Sequence, residues 1–397
     1  MRYGAKIGAT ALLLALGILS LCAQEAEPRS WSVNGYLKQM QALLFFKDAY
    51  PSLQQGQLVD TFLQDNLIHH RLNFRWQPAK HLRVRADLRT RIFYGDLVRA
   101  TPDYGAAIDD VNNDYFDWSA VLFSQGAWAM HTMLDRAYVE YGKGALEVRL
   151  GRQRINWGIS TVWNPNDVFN AFAFTDFDYE ERPGSDALRL KYYTGFASSL
   201  ELAANVFDDW SSAVIAGLWK FNHWAYDFQL MGGYARGDWV IGGGWAGNLG
   251  NAGLKGEGTL FVPSGGGRTA LAATVGVDYA FPNAVYSSLG YLYNSEGQTE
   301  GTITGLFDFE LSARNLYPYR HALFGQSGYP VTPLFNAGLA VIYSPVRAHA
   351  LFINPTLTYS LGQNWDLDMV GQLAFDREEG RFQGPLQALF LRLKWSY

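Results

Sequence analysis

The chain has almost no cysteine. Its single cysteine, Cys22, lies near the N-terminus, so no pair of thiols is available to form a disulfide or to hold a zinc ion. We therefore expect a fold that depends on neither a disulfide nor a metal, and the sequence predicts no cofactor. It also lacks a Gly-x-Ser-x-Gly elbow and a phosphate-binding glycine loop, which indicates a protein that is not an enzyme.

Long apolar runs without charge are also absent beyond the first residues. Residues 7–21 are predominantly apolar and follow Arg2 and Lys6, as in a secretory signal peptide. The run is shorter than the ~20 residues that a membrane-spanning helix needs. We predict a signal peptide over residues 1–23. The alternative is a lipoprotein acylated at Cys22, although such a site needs a small residue where Leu21 stands.

Net charge is small. The formal charge of the whole chain is −5, and loss of Arg2 and Lys6 with the signal peptide would leave −7. Nucleic-acid binding calls for a basic surface, so no nucleic-acid partner is expected.

The C-terminus has a strong pattern. Every second residue from Leu389 to Tyr397 is apolar, and polar residues such as Lys394 stand between them. A period of two indicates a strand with one apolar and one polar face. A terminal aromatic residue is typical of a transmembrane barrel, which carries aromatics at the water boundary. We predict that Leu393, Trp395 and Tyr397 form the signal that the barrel assembly machinery recognises.

Aromatic residues are abundant elsewhere too: 15% of the chain is Phe, Trp or Tyr, with 23 tyrosines and 13 tryptophans. Tyr and Trp favour the headgroup boundary of a membrane. The composition therefore indicates an all-β outer-membrane barrel of a diderm bacterium over residues 24–397, in contact with outer-membrane lipid. The alternative is a two-layer soluble sheet, whose packed interior would suit the arginine-rich strands poorly.

Alternation and turn residues divide the chain into eighteen predicted strands of an antiparallel up-and-down barrel. These lie near 31–46, 66–77, 81–94, 131–141, 145–155, 186–194, 198–207, 213–221, 224–235, 239–247, 254–262, 268–281, 284–294, 319–329, 334–343, 351–361, 365–375 and 386–397. Short Gly/Pro/Asn turns alternate with the long connections 47–65, 95–130, 156–185 and 295–318, which are expected on the outer side. Sixteen strands remain the alternative, because the glycine-rich middle of the chain has weak signals.

Arginine recurs on the predicted inward face of strands two to six. The cations there are Arg71, Arg75, Arg83, Arg85, Arg89, Arg91, Arg136, Arg149, Arg189 and Lys191. On the same faces only three acids oppose these ten cations, namely Asp87, Glu140 and Glu147. We predict an anion pathway along this wall, since arginine in a pore favours anions. The alternative is a structural wall that acids of the connection 156–185, such as Asp176, Asp178 and Glu180, neutralise.

One region resembles a known family. A strand ending in Val139-Glu140-Tyr141 is followed by a glycine turn, Gly151-Arg152-Gln153 and then Asn156-Trp157-Gly158. This pattern resembles the alginate-export type of eighteen-stranded outer-membrane porin, over roughly residues 131–397. The resemblance implies an eighteen-stranded barrel with a charged lumen and does not specify alginate. Arg152 and Arg154 have lipid-facing parity, so we expect a bulge or the membrane edge to redirect them.

Two further sets of residues raise the question of metal binding. The connection 95–130 holds six aspartates, which could ligate calcium, but it lacks the spacing of a known calcium loop and is better explained as a solvated acidic loop. His69 and His70 are adjacent in a strand and must point to opposite faces, so they cannot share a metal.

The sequence thus favours a passive diffusion channel for small hydrophilic, anionic solutes. The alternatives are an export conduit for an anionic polymer, a barrel enzyme, and an adhesion or assembly protein. A barrel enzyme would need a nucleophile and a base facing each other, and the strands present no candidate pair.

Overall fold

The computed structural model describes residues 30–47, 61–109, 114–172, 178, 180–347, 349–378 and 380–397. The predicted signal peptide, residues 1–23, lies outside them. The strands are β1 (Ser30–Phe46), β2 (Phe62–Ala79), β3 (Leu82–Gly95), β4 (Ser119–Gln125), β5 (Trp128–Lys143), β6 (Leu146–Gln153), β7 (Ser185–Gly195), β8 (Ser198–Asn205), β9 (Val214–His223), β10 (Tyr226–Ala235), β11 (Asp238–Leu249), β12 (Ala252–Pro263), β13 (Ala270–Ala280), β14 (Tyr286–Asn294), β15 (His321–Thr332), β16 (Phe335–Ser344), β17 (Ala350–Gly362), β18 (Trp365–Glu378) and β19 (Arg381–Ser396). Three short helices lie in the connections: α1 (Asp96–Ala100), α2 (Tyr104–Asp109) and α3 (Gly305–Asp308).

The sheet closes on itself. β19 pairs antiparallel with β1, with Tyr36 opposite Ser396, and β1 also pairs with β2. Eighteen strands form this closed wall, in which every strand pairs with its two neighbours. Closure removes the free edges that an open sheet would expose. The predicted eighteen-stranded barrel is confirmed, including the glycine-rich middle, and the alternative of sixteen strands is wrong.

Strand β4 is additional to the eighteen and was not predicted, because it lies within the connection 95–130. The outer half of β5 pairs with β4, where Ser124 lies opposite Ala129. The inner half of β5 pairs with β6, where Glu140 lies opposite Arg149. Since β6 ends early and the chain then enters the lumen, β4 takes its place beside the outer half of β5.

The two faces of the barrel have opposite chemistry. Outward side chains are apolar and exposed: Leu202, Ile241 and Leu289 are 60%, 66% and 65% exposed. Charged side chains such as Arg71 and Glu140 are buried on the inward face. An apolar outer surface around a polar interior is the arrangement of an outer-membrane barrel, and it confirms the predicted location. Among the described residues, no helix has the length and apolar character needed to span a membrane.

The short turns, the start of β1 at Ser30 and the C-terminal residue Tyr397 lie at one rim of the barrel. Tyr397 donates its backbone N–H to Gly35 O at 3.0 Å there, and Trp365 and Trp395 stack with ring centroids 6.0 Å apart. Aromatic rings at a rim suit the membrane boundary. The β9–β10 turn falls at Trp224-Ala225, two residues later than expected, with φ of 52° and 61°. Asn222 instead extends β9 and donates its side-chain amide to Asp227 Oδ1 at 2.8 Å.

Two long connections fold into the barrel from the opposite rim. We call the described residues 154–172, 178 and 180–184 the inward segment, and residues 295–320 the second inward segment. Trp157, Phe169 and Ile303 from these segments are buried within the barrel. The rings of Trp163 and Tyr317 meet edge to face at 5.6 Å, so the two segments pack against each other. The lumen is therefore a packed interior that narrows the path between the two rims.

Candidate functional site: the charged lumen

The arginine wall consists of the ten predicted inward cations. On β2 and β3 they face each other in register, with Arg75 opposite Arg85 and Arg71 opposite Arg89. Like charges directly opposite in a sheet are destabilising, so the wall requires anions between its members. Acidic partners are frequent at mid-height in the barrel and scarce near the rim with the short turns. The cations at these two heights therefore differ in burial and pairing.

At mid-height the cations are buried and paired. Arg71 is 1% exposed and lies 3.0 Å from Asp87, 2.6 Å from Asp135 and 3.4 Å from Glu181. A buried guanidinium tolerates the loss of water only when such partners replace it. Arg89 is also buried and donates to Met133 Sδ at 3.0 Å.

Asp135 is an inward-facing acid that the sequence did not predict, in addition to the three predicted opposite the ten cations. By strict alternation with Arg136 this side chain would face lipid. A register shift between Asp87 and Leu88 against β5 inserts one extra residue, and such a bulge reorients a side chain. Asp135 is consequently buried against Arg71 and Arg136. Sequence alternation alone could not place it there.

The near end of the inward segment is fixed to β8, β10 and β12. Trp157 Nε1 donates to Glu201 Oε1 at 2.5 Å, and Gln229 Nε2 donates to Trp157 O at 2.6 Å. Glu257 Oε1 accepts the backbone N–H groups of Ile159 and Ser160 at 3.2 and 3.0 Å. These bonds satisfy backbone groups that would otherwise be buried without partners.

The far end of the inward segment reaches the wall formed by β1, β2 and β19. Asp178 lies 2.8 Å from Lys38 and 3.4 Å from Arg392, and Glu180 lies 2.9 Å from Lys394. Burial opposes ionisation of Asp178, but the His69 imidazole and the Lys38 ammonium outweigh it and hold the pKa of that carboxyl below its usual range. Ionised side chains thus hold the far end to the wall, and we call these contacts of Asp178 and Glu180 the latch.

The partners of this latch differ from those considered in the sequence. In the structural alternative to an anion pathway, Asp176, Asp178 or Glu180 of the connection would pair with Arg83, Arg85, Arg89 and Arg91. Because the segment crosses the lumen before these acids occur, they meet cations of β1 and β19 and the buried Arg71. Asp176 lies outside the described residues. Lys38, Arg392 and Lys394 were missed because the wall was sought only on strands two to six.

Near the rim with the short turns, the arginine wall opens into a cavity of about 470 Å³, which we call the periplasmic chamber. Arg75, Arg83, Arg85 and Arg149 line it together with Glu140. The Arg83 side chain is 62% exposed and lies 2.7 Å from Glu140. Arg149 also binds Glu140, with Nε donating at 2.9 Å.

The periplasmic chamber carries an excess of positive charge. Glu140 is shared by two arginines, and Arg85 pairs with Asp87 at 2.6 Å. Arg75 is exposed and makes no ion pair with any residue that the structure describes. Here the guanidinium groups remain accessible, unlike those at mid-height.

The other members of the arginine wall have local partners. Arg136 donates to the backbone oxygens of Glu181 and Arg182 at 2.6 Å. Arg189 lies 2.8 Å from Glu201, and Arg91 lies 3.2 Å from the His131 ring.

Lys191 Nζ lies 4.8 Å from the centre of the Tyr193 ring. Tyr193 and Lys220 border a second cavity of about 410 Å³ at the same rim. Lys220 was missed because β9 lay beyond the strands considered.

Alternation along β6 would point the Arg152 side chain toward lipid, but the side chain is buried. Gly151 has φ of 117°, and a Cβ there would lie 2.2 Å from Ala137 O, so this bend requires glycine. Arg152 then turns into the wall and lies 2.6 Å from Asp186. The expectation was a bulge or the membrane edge, but β6 pairs with β5 and β7 without a register shift here, so the bend at Gly151 redirects Arg152 instead.

The aspartates of the connection 95–130 act as hydrogen-bond acceptors. Asp109 Oδ1 accepts from Ser119 at 2.7 Å, and Asp114 Oδ2 accepts the Asp186 N–H at 2.8 Å. Within the described part of the chain, no three His, Cys, Asp or Glu side chains come together as a metal site. Part of the cluster, residues 110–113, lies outside it. His69 is buried inside and His70 lies outside, where it bonds Tyr397 OH at 2.8 Å.

Comparison with solved structures shows the fold. OccK9 (OpdG) of Pseudomonas aeruginosa has a TM-score of 0.58 at 12% identity, covering 92% of this chain and 98% of that one. The outer membrane protein opdK of Pseudomonas aeruginosa has 0.57 at 9%, covering 93% and 98%. OccAB4 of Acinetobacter baumannii has 0.56 at 10%, covering 92% and 98%.

No protein-family model matches the sequence, and no curated protein matches it either. The structural similarities support an eighteen-stranded porin barrel. They give no support to the alginate-export family that the motifs around Gly151 resemble.

Proposed function

We propose that the protein is a passive outer-membrane channel for small hydrophilic solutes and that it prefers anions. The observation that carries this proposal is the periplasmic chamber, in which accessible arginines outnumber acids. Ions in a narrow low-dielectric passage feel such a potential more strongly than in bulk water. Inward-facing residues of a barrel tune selectivity.

The buried and the accessible arginines of the wall have different roles. Arg71 and Arg89 are buried, so they contribute to the packed interior. Arg75 and Arg83 are exposed in the chamber and are the candidates for direct solute contact. A guanidinium binds carboxylate or phosphate through two parallel hydrogen bonds, which suits small organic anions as well as inorganic ones.

An export conduit for an anionic polysaccharide is less consistent with this lumen. A polymer needs a continuous path between the rims. The inward segment is bonded to β10 through Gln229 and to β1 through Lys38, on opposite sides of the lumen. Both anchors would have to break before a chain of sugars could pass.

Conductance in planar bilayers tests the proposal. With a salt gradient across the bilayer, the wild-type protein should give a reversal potential on the anion-selective side. The double change Arg75→Gln and Arg83→Gln should move it toward zero by tens of millivolts, with the barrel intact. The matched control is Arg268→Gln with Arg347→Gln, two exposed arginines of outer connections.

Two outcomes would count against the proposal in different ways. If correctly folded wild-type protein inserts and gives no unitary currents, the channel function is wrong. If currents occur but both double variants leave the reversal potential unchanged, the channel stands and the assignment of anion preference to the chamber is wrong.

A further inference from the structure

An apolar groove of about 380 Å³ lies on the lipid-facing surface, across β1 and β17–β19. Its lining includes Phe45, Pro355, Met369, Gly371 and Leu389. It runs from the middle of β18 toward the outer end of β1, and therefore lies in the outer half of the barrel. It is separate from the charged lumen.

The floor of the groove is formed by a proline and a glycine on adjacent strands. Pro355 has no N–H to give to the sheet, and the pairing of β17 with β18 is interrupted between Ile353 and Thr356. Asn354 replaces the missing bond by donating its side-chain amide to Gly371 O at 2.6 Å.

Gly371 is required by this close approach. A Cβ at residue 371 would lie 2.9 Å from Pro355 Cγ, so a larger residue cannot lie beside the proline ring. The combination leaves a gap in the outer surface where neighbouring strands carry leucine or methionine. Proline in a barrel strand that is paired on both sides is unusual, since it weakens the sheet, and here the result is a depression that faces lipid.

A cation stands at the outer end of the same column of side chains. On β18 the outward residues beyond Gly371 are Leu373, Phe375 and Arg377, and Arg377 is exposed at the rim. Its neighbour across the strand pair is Phe382, which is 55% exposed. An aromatic residue and an arginine at the membrane boundary suit the headgroup of an anionic lipid.

We propose that this groove binds one acyl chain of the phosphoglycolipid of the outer leaflet, lipid A, with a headgroup phosphate on Arg377. Three features support this ligand: the apolar lining, the position in the outer half of the barrel, and the guanidinium at the rim end. An acyl chain fills an elongated apolar groove without leaving polar groups unpaired. The phosphate accepts the charge-assisted hydrogen bonds that a guanidinium donates.

Native mass spectrometry of the purified, delipidated barrel in non-ionic detergent tests this proposal with added lipid A. Wild-type protein should retain one lipid A. Met369→Trp fills the groove and should abolish retention, whereas Leu323→Trp places the same bulk on the outward face of β15 and should not. If Met369→Trp fails to show heat-modifiable folding, Leu357→Trp on the facing strand replaces it.

The headgroup contact is tested separately. Arg377→Gln should weaken lipid A binding about tenfold, the loss expected for one charge-assisted hydrogen bond, and the exposed Arg268→Gln should leave it unchanged. Equal retention of lipid A by Met369→Trp and Leu323→Trp would overturn the groove site. Equal binding of phosphatidylglycerol would overturn the choice of lipid A, and equal binding of uncharged diacylglycerol would overturn the role of Arg377.

Discussion

Lys38 Nζ lies 2.8 Å from Asp178 Oδ1 and joins strand β1 to the inward segment across the lumen. Lys38 is 1% exposed, so this partner compensates its ammonium group for the loss of water. Together with the pairs that Arg392 and Lys394 form, the Lys38–Asp178 pair holds the far end of the segment against the wall. Changing it tests the width of the path without changing the arginines of the periplasmic chamber.

The change Lys38→Met should loosen the far end of the inward segment, which Arg392 and Lys394 would still contact. We expect larger or noisier single-channel currents with little change in reversal potential, because the arginines of the periplasmic chamber are untouched. Single-channel recording at fixed voltage measures both quantities. Lys191→Met, which removes an inward lysine next to Tyr193, is the control and should give quiet currents. Identical traces for the two variants would show that the latch does not restrict the path.

Arg71→Gln should destabilise the barrel, in contrast to Arg75→Gln on the same face of the same strand. Removing one partner of a buried ion pair leaves uncompensated charge and costs about 3–5 kcal/mol. In Arg71→Gln, Asp87 and Asp135 would be left buried without their common cation. The measurement is the urea midpoint of unfolding in detergent, followed by gel mobility. Equal midpoints for the two variants would contradict the division of the wall into buried and accessible arginines.

Tyr397→Asp should lower the amount of protein in the outer membrane several-fold, whereas Ser396→Asp should be tolerated. The Tyr397 ring lies 5.3 Å from that of Trp395 on the outward face, where a carboxylate would meet lipid. Ser396 lies opposite the inward Tyr36. Quantitative blotting of outer-membrane fractions gives the comparison. A similar loss for both variants would refute the role predicted for the terminal aromatic residue.

The pH dependence of the lumen follows from Asp167. Burial raises the pKa of this carboxyl to about 8, and the Arg154 guanidinium offsets the rise only in part. A carboxyl whose pKa is raised in the folded state contributes stability that is fully present below its unfolded value of about 4. That contribution is lost as the pH rises through about 8. Ionised Asp167 would also face the Glu257 carboxylate.

The near end of the inward segment should therefore loosen in alkaline solution. We expect current noise to increase between pH 7 and pH 9 in the wild type, since this interval spans the raised pKa of about 8. Asp167→Asn should abolish the increase, and the exposed loop variant Asp208→Asn should retain it. Noise that rises equally in both variants would assign the effect to another group.

The sequence was sufficient to predict the strands of the barrel wall and the face to which their side chains point. Alternation in β3 correctly separates the inward Arg83 and Arg85 from the outward Val84, because a period of two leaves no other arrangement for a strand that is polar on one face. The same rule places His69 inside and His70 outside. Turn-forming residues in the sequence predicted the position of the β9–β10 turn at this rim to within two residues.

The charge balance of the lumen could not be predicted in the same way. Asp135 faces inward only because of a bulge whose position depends on the register with β3, and Glu181 reaches Arg71 only because a connection crosses the barrel. Both depend on contacts between residues far apart in the chain. Local patterning carries no information about them, so the sequence overstated the number of unpaired arginines.

The inward segment has a mechanical consequence for the tube around it. A thin cylindrical sheet deforms most easily by ovalisation, in which one diameter lengthens as the perpendicular one shortens. Gln229 of β10 and Lys38 of β1 hold the two ends of the segment on opposite sides, so the segment acts as a tie across one diameter. The barrel should be stiff along that direction and compliant along the other, and its cross-section should fluctuate anisotropically.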